Sequence, residues 1–214
     1  MRVLPAIMLA AIVAAAPLAA QDDKDTAVPG GGTLPAGWSA RADSGAALTN
    51  VKFVTMGTGV HATLGPAVIL YRTTDSATGE FRTAATFIQT RAPKHAEGYG
   101  LFIGGQALDR PGQKYTYFLV RGDGKFIVKR RNGPADPATI APWTDNAAIV
   151  KADANGVAKN ELSILVSGGK VSFMVNGKEV YSIATAAVDT RGIVGLRVNH
   201  NLDVHVDGFA VHRM

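Results

Sequence analysis

Cysteine does not occur in this 214-residue chain. Disulfides are therefore excluded, and so is a lipid anchor on a cysteine following a leader. A domain of this size does without staples, because it buries roughly 70% of its unfolded surface. Glutamate is scarce too. The four are Glu80, Glu97, Glu161 and Glu179, and none has a second carboxylate two or four residues away. Glycosidases need two carboxylates placed across the scissile bond, so a paired set on one strand is missing. A Gly-x-Ser-x-Gly nucleophile elbow is also missing. No repeat of 20 to 50 residues is evident, which argues against a propeller. Past residue 20 no apolar run is long enough to span a bilayer.

The first twenty residues have a different character. Met1-Arg2 is a short positive start, residues 3–16 are apolar and alanine-rich, and Pro17-Leu18-Ala19-Ala20 offers small residues before the polar Gln21-Asp22-Asp23. This layout predicts a secretory signal peptide over 1–20. The competing reading is a membrane anchor. The apolar run 3–20 sits at the lower limit for a span, but Pro5 and Pro17 interrupt it. The expected location is secreted or periplasmic, with no membrane contact after cleavage. Cleavage after Ala20 removes one charge, Arg2, from a formal net charge of +5. So mild a balance argues against a nucleic-acid partner and is compatible with an anionic glycan.

Residues 21–36 read as a flexible tether, with four charges at 22–25, then Pro29-Gly30-Gly31-Gly32 and Pro35. The domain is expected over 37–214. Leu162, Ile164 and Val166 alternate with Ser163, Leu165 and Ser167 before Gly168-Gly169, a two-residue hairpin turn. That turn sets Val166 against Val171, Ile164 against Phe173 and Leu162 against Val175, all on one face. Asn176-Gly177 makes a second turn of type I′, which brings Val180 opposite Phe173. Further strands are expected over 51–56, 67–71, 81–90, 99–103, 115–121, 125–131, 193–198 and 203–212. In the last of these, Val204 and Val206 have the opposite parity to Phe209 and Val211. A β-bulge at Asp207-Gly208 restores a single apolar face. No helix stands out, and the alanines at 184–187 permit a turn only. Many short strands with glycine-rich turns predict an all-β, two-sheet antiparallel sandwich.

A family comes into view over 160–212. Asn160-Glu161-Leu162-Ser163-Ile164 runs through Lys170-Val171-Ser172-Phe173-Met174-Val175-Asn176-Gly177-Lys178. Gly192-Ile193-Val194-Gly195-Leu196-Arg197 follows, and then Val204-His205-Val206-Asp207-Gly208-Phe209-Ala210-Val211. This stretch resembles the C-terminal half of concanavalin A-like lectin/glucanase domains. These include laminin G-like modules and secreted bacterial domains of the 3-keto-disaccharide hydrolase-like type. The resemblance implies a jelly-roll sandwich. It does not imply an activity, because one fold hosts many functions. Glucanases of this superfamily carry Glu-x-Asp-x-Glu or a close variant on one strand, and this chain has no such motif. Calcium is common in the superfamily, but no calcium motif is complete here. Asp153-Ala154-Asn155-Gly156 opens like a calcium loop yet lacks the later acidic ligand, and it reads as a turn.

Other candidates are weighed the same way. His200, Asp203, His205 and Asp207 lie close enough in sequence to ligate a metal. The solvated face of a terminal strand explains them better, since no fixed motif matches. Arg121-Gly122-Asp123 is the integrin tripeptide, but Gly122-Asp123-Gly124 joins two strands and reads as hairpin chemistry. His61 and His95 have no partner at a catalytic spacing. No residue is assigned a catalytic or metal-ligating role, and no cofactor is expected, with calcium left open by the superfamily resemblance but supported by no motif.

The strongest functional candidate is the 115–131 hairpin. A three-residue loop with Gly124 in the left-handed position pairs Arg121 with Lys125, Val120 with Phe126, Leu119 with Ile127, Phe118 with Val128 and Tyr117 with Lys129. Phe118, Val120, Phe126 and Val128 then form a core face. The opposite face gathers Tyr115, Tyr117, Arg121, Lys129 and Arg131, with Leu119 and Ile127 among them. Tyrosine rings flanked by cationic donors can stack on a sugar and hydrogen-bond its hydroxyls or carboxylates. Tyr99 and Trp143 are expected to extend this surface. The bland alternative is an ordinary outer sheet face with snorkelling lysines and arginines.

The leading expectation is a secreted, non-catalytic glycan-binding sandwich. One alternative is a sugar-active hydrolase of the 3-keto-disaccharide hydrolase-like type, with Asp75, Asp109 and Asp145 the only available acid and base candidates. Another is a structural envelope protein with no concave site.

Overall fold

The computed structural model describes residues 24–214, so the expected signal peptide lies outside the described residues. Fifteen strands run in chain order: β1 Gly31–Gly32, β2 Ser39–Ala42, β3 Val51–Met56, β4 Gly59–Leu64, β5 Val68–Ala77, β6 Phe81–Gln89, β7 Gly98–Gln106, β8 Lys114–Arg121, β9 Lys125–Asn132, β10 Ala138–Asp145, β11 Ala158–Ser167, β12 Lys170–Val175, β13 Lys178–Ala184, β14 Gly192–Val198 and β15 Asp203–Arg213. An eight-stranded sheet has the order β1-β3-β4-β15-β6-β11-β12-β13, and a seven-stranded sheet the order β10-β9-β8-β7-β14-β5-β2. All pairings are antiparallel except the short β1–β3 edge. One 3₁₀ turn at Thr185–Ala187 falls where the alanine run permits it.

The main core lies between the sheets. Phe87 of one sheet stacks on Tyr99 of the other with ring centroids 5.5 Å apart, and Phe173 meets Phe118 at 5.3 Å. β6 shows the logic of a half-buried strand. Phe81, Thr83, Ala85, Phe87 and Gln89 are buried and alternate with half-buried residues. β7 differs because it is central and covered on both faces. Its run GYGLFIGG is buried throughout, as a doubly covered strand requires.

The meander register is as the turns dictate. Leu162 faces Val175, Ile164 faces Phe173 and Val166 faces Val171, and Gly168 and Gly169 both have positive φ. The second hairpin departs from expectation. Tyr181, not Val180, sits opposite Phe173, with an irregularity between Phe173 and Met174. The extra residue lets the Tyr181 ring reach Phe173 at 5.9 Å, while Val180 still packs on the core from its edge. The bulge in β15 lies between Asp207 and Ala210. It lets Phe209 pack edge-on against Trp38 at 5.3 Å.

Within the stretch read as a flexible tether, residues 24–36 make a few contacts with the sandwich. The Thr26 and Val28 amides donate to the Asn201 and Asn50 side chains, and Leu34 packs on the core. Apolar periodicity is blind to such side-chain capture of a backbone. Four strands went unmarked in the sequence: β1, which is two glycines long, and β2, β4 and β10. β2 is too short and polar to show a pattern, and β10 carries a proline and two register shifts.

Candidate functional site

A second, smaller apolar cluster lies on the outer face of the seven-stranded sheet, turned away from its partner. Ile69, Tyr71, Phe102, Leu108, Tyr115, Tyr117, Leu119 and Ile127 form it, with Trp143 and Ile193 packed alongside. The β8–β9 hairpin presents this face as its turn prescribes. Arg121 pairs with Lys125, Leu119 with Ile127 and Tyr117 with Lys129. Gly124 has φ +91°, and its amide donates to the Arg121 carbonyl at 3.0 Å.

Across this cluster lies a polar network. Arg197 of β14 forks onto Asp43, just beyond β2, with both nitrogens 2.6 Å from the carboxylate oxygens. Its Nη1 also donates to the Tyr115 hydroxyl at 2.8 Å, and its guanidinium lies 4.6 Å over the Tyr117 ring. Arg131 of β9 adds a contact to Asp43 at 3.1 Å. Groups from β14, β8, β9 and the segment after β2 thus meet at one point. The side chain of Arg197 is only 6% exposed, yet its Nε has no hydrogen-bond partner, and neither does that of Arg131. Buried guanidinium nitrogens without partners are donors left over for something else.

The electrostatics are those of a charged centre held by its own surroundings. Burial pushes the Asp43 carboxyl upward, but hydrogen bonding and charge from Arg197, with Arg131 beside it, outweigh this and hold it below its ordinary value. Burial pushes the Tyr117 phenol up to about 12, against the opposing charge of Arg197. Tyr115 is raised for the same first reason. Both phenols are therefore neutral at pH 7 and act as donors and acceptors. A cleft of about 340 Å³ opens beside Arg197 and Asp43, lined also by Ser44, Asn199 and His200. Glu97 borders it, accepting from Asn199 at 3.1 Å and contacting His200 Nε2 at 2.8 Å.

The expected surface residues divide among several environments. Tyr115, Tyr117 and Arg131 come together in the network. Lys129 sits beside Tyr117 in the same row. Arg121 is held by Asp123 through two contacts of 2.8 Å, and its guanidinium lies 4.4 Å over the Trp143 ring. Trp143 is half-buried on this face, its ring edge where a side chain on Gly98 would stand. Tyr99 is the correction. It pairs with Val120 on the core side, is fully buried and lies within hydrogen-bonding distance of Asn160, so it cannot reach a ligand on the outer face. Tyr115 and Tyr117 were expected as exposed rings. They are buried: Arg197 lies over the Tyr117 ring and donates to the Tyr115 hydroxyl, and Tyr115 packs between Phe102 and Tyr117.

Sequence reasoning missed Asp43 and Arg197. Arg197 carries a faint signal as a lone charge between Leu196 and Val198. Asp43 carries none, since only the chain's return beside β5 brings it to Arg197.

The other candidates resolve as local structure. Asp203 accepts from Thr63 at 3.0 Å and meets His61 at 2.8 Å, with Thr90 and Arg91 also on it. Asp207 accepts from Thr58 and from the Gly208 amide. His200 belongs with Glu97 instead. Among the described residues no group of three or more His, Asp or Glu side chains is placed to hold a metal ion. The Asp153 carboxylate accepts from the Asn155 and Val157 amides, which makes the turn rather than an ion site. The donor set does not fit a calcium ion. The integrin tripeptide is closed on itself by the Arg121–Asp123 pair. Asp75, Asp109 and Asp145 pair with Arg72, Arg110 and Lys125 respectively, outside the network.

The fold is an all-β, two-sheet sandwich of the jelly-roll kind that the resemblance over 160–212 implies. Among solved structures the chain is similar to the carbohydrate-binding module CBM66 from Bacillus subtilis. The TM-score is 0.61 at 13% identity, over 83% of this chain and 96% of that one. It is also similar to the VIP36 exoplasmic/lumenal domain in its Ca²⁺-bound form, with a TM-score of 0.56 at 9% identity and 91% of each chain covered. The Ca²⁺/Man3GlcNAc-bound form of that domain gives 0.54 at 9%, over 83% and 84%. No protein-family model and no curated protein sequence matches the chain.

Proposed function

We propose that this protein is a secreted or periplasmic glycan-binding sandwich that acts by recognition rather than catalysis. Its ligand surface is the outer face of the seven-stranded sheet, around Arg197, Asp43, Arg131 and the half-buried Trp143, with Tyr115 and Tyr117 as the buried floor beneath. The observation that carries this reading is the Arg197–Asp43–Arg131 network. It lies over the Tyr117 ring, holds the Tyr115 hydroxyl and sits beside a cleft, with both guanidinium Nε groups unsatisfied. A sugar presents apolar ring faces and a rim of hydroxyls. Aromatic surface with a few fixed polar groups is what such a ligand requires. The carbohydrate-binding neighbours share the fold and are consistent with this use.

The test is a glycan array with the purified protein, followed by calorimetry on whichever glycan binds. Trp143→Ala and Lys129→Ala are then compared with the parent, each checked by thermal melting. Binding is expected to weaken in both. Full-strength binding by both folded variants would place the ligand surface elsewhere, and a parent that binds no glycan would refute the function.

A further inference from the structure

A separate cleft of about 210 Å³ lies at the end of the β8–β9 hairpin, lined by Lys114, Tyr115, Thr116, Arg130, Arg131 and Asp189 with Asn132. On the face of the hairpin that carries Thr116, it holds two cations, Lys114 and Arg130, against a single carboxylate, Asp189. Lys114 and Arg130 are exposed, and neither forms an ion pair among the described residues. Thr116, 1% exposed, has a buried hydroxyl with no partner. Tyr115 and Arg131 also line the cleft, but their side chains alternate onto the opposite, outer face, so the cleft lies at the end of the same hairpin that carries the proposed ligand surface.

We propose that this cleft is a subsite for an oxyanion substituent carried on a sugar, so that the protein selects acidic over neutral glycans. The inference rests on the glycan-binding reading and deepens it. Two cations beside an unfilled cleft favour a negative group, and the Arg130 guanidinium suits the planar fork of a carboxylate or the oxygens of a sulfate. Asp189 decides between a sugar and a free ion. A carboxylate on the rim repels a small multivalent anion but accepts hydrogen bonds from hydroxyls, and a sugar residue brings both groups together. Thr116 and Asn132 can serve the same hydroxyl rim.

The test uses the full chain and three probes: tetragalacturonate, its carboxyl-reduced neutral counterpart, and a sulfated galactose tetramer. Affinities are measured by calorimetry for the parent and for the Lys114→Gln/Arg130→Gln double variant. Both substituted side chains are exposed, so the fold is expected to survive, and a melt verifies it. The parent should prefer at least one acidic probe over the neutral one. In the variant that preference should fall by about ten- to a hundredfold, the loss expected for hydrogen bonds to a charged group. Which acidic probe is preferred tells carboxylate from sulfate. Equal binding of acidic and neutral probes by the parent overturns the subsite and leaves glycan binding standing. So does an undiminished preference in the folded variant. Binding of none of the probes, with an empty glycan array, overturns both.

Discussion

Removing the charge of Asp43 tests whether the polar network is the buried structure described. Arg197 is 6% exposed and Asp43 23% exposed, and they share two contacts of 2.6 Å. In Asp43→Ala the guanidinium keeps Tyr115 as its partner but loses its counter-charge. Breaking a buried pair by deleting one partner costs about 3–5 kcal/mol. The partial exposure of Asp43, and the water it admits, puts the expectation near the lower end. A loss of about 3 kcal/mol in a domain of this size lowers Tm by roughly 6–12 °C. Asp43→Ala combined with Arg197→Met removes both charges and should recover much of that loss, because the uncompensated ion is gone. pH gives a second readout. The folded-state pKa of Asp43 lies below its ordinary value of 3.8. Its contribution to stability is therefore full above the unfolded value and is lost as pH falls through the lower folded one. The parent should lose stability in that acid window, and Asp43→Asn should lack this component. Thermal melts and urea titrations from pH 7 down to about pH 3 measure all of this. A Tm for Asp43→Ala within a degree of the parent would refute the burial of the pair.

Phe173 is fully buried between Phe118 and Tyr181. Phe173→Ala should cost about 3–5 kcal/mol in urea unfolding. Gly124 holds φ +91° in the hairpin that sets the register of the candidate site. Gly124→Ala should destabilise by about 1–2 kcal/mol through backbone strain, measured the same way, and an unchanged midpoint would contradict the left-handed turn. On export the chain should be cleaved near Gln21, so mass spectrometry of the exported protein should find residues 1–20 missing.

The strand pattern and two turns were sufficient to specify most of the sandwich. Alternation at 162–166 and 171–175 leaves only one register with a single apolar face, and Gly168-Gly169 supplies the geometry that register needs. The same holds for 115–131, where a three-residue loop alone gives a uniform core face. These are local facts, fixed by chain neighbours and the period-two geometry of a strand. The sequence could not say which outer face would be filled. Tyr117 and Tyr115 read as exposed because alternation marks them as outward. It cannot show that Arg197, 80 residues further along the chain from Tyr117, lies over that ring and holds the Tyr115 hydroxyl. Nor could it place Tyr99, whose parity depends on how β7 is aligned between β8 and β14. Asp43 meets Arg197 only because β2 pairs with β5, β5 with β14, and the chain beyond β2 ends beside them. Long-range pairing brings those groups together, and only the tertiary structure fixes it. The candidate site is made by that pairing, whereas its aromatic floor was already written in the hairpin.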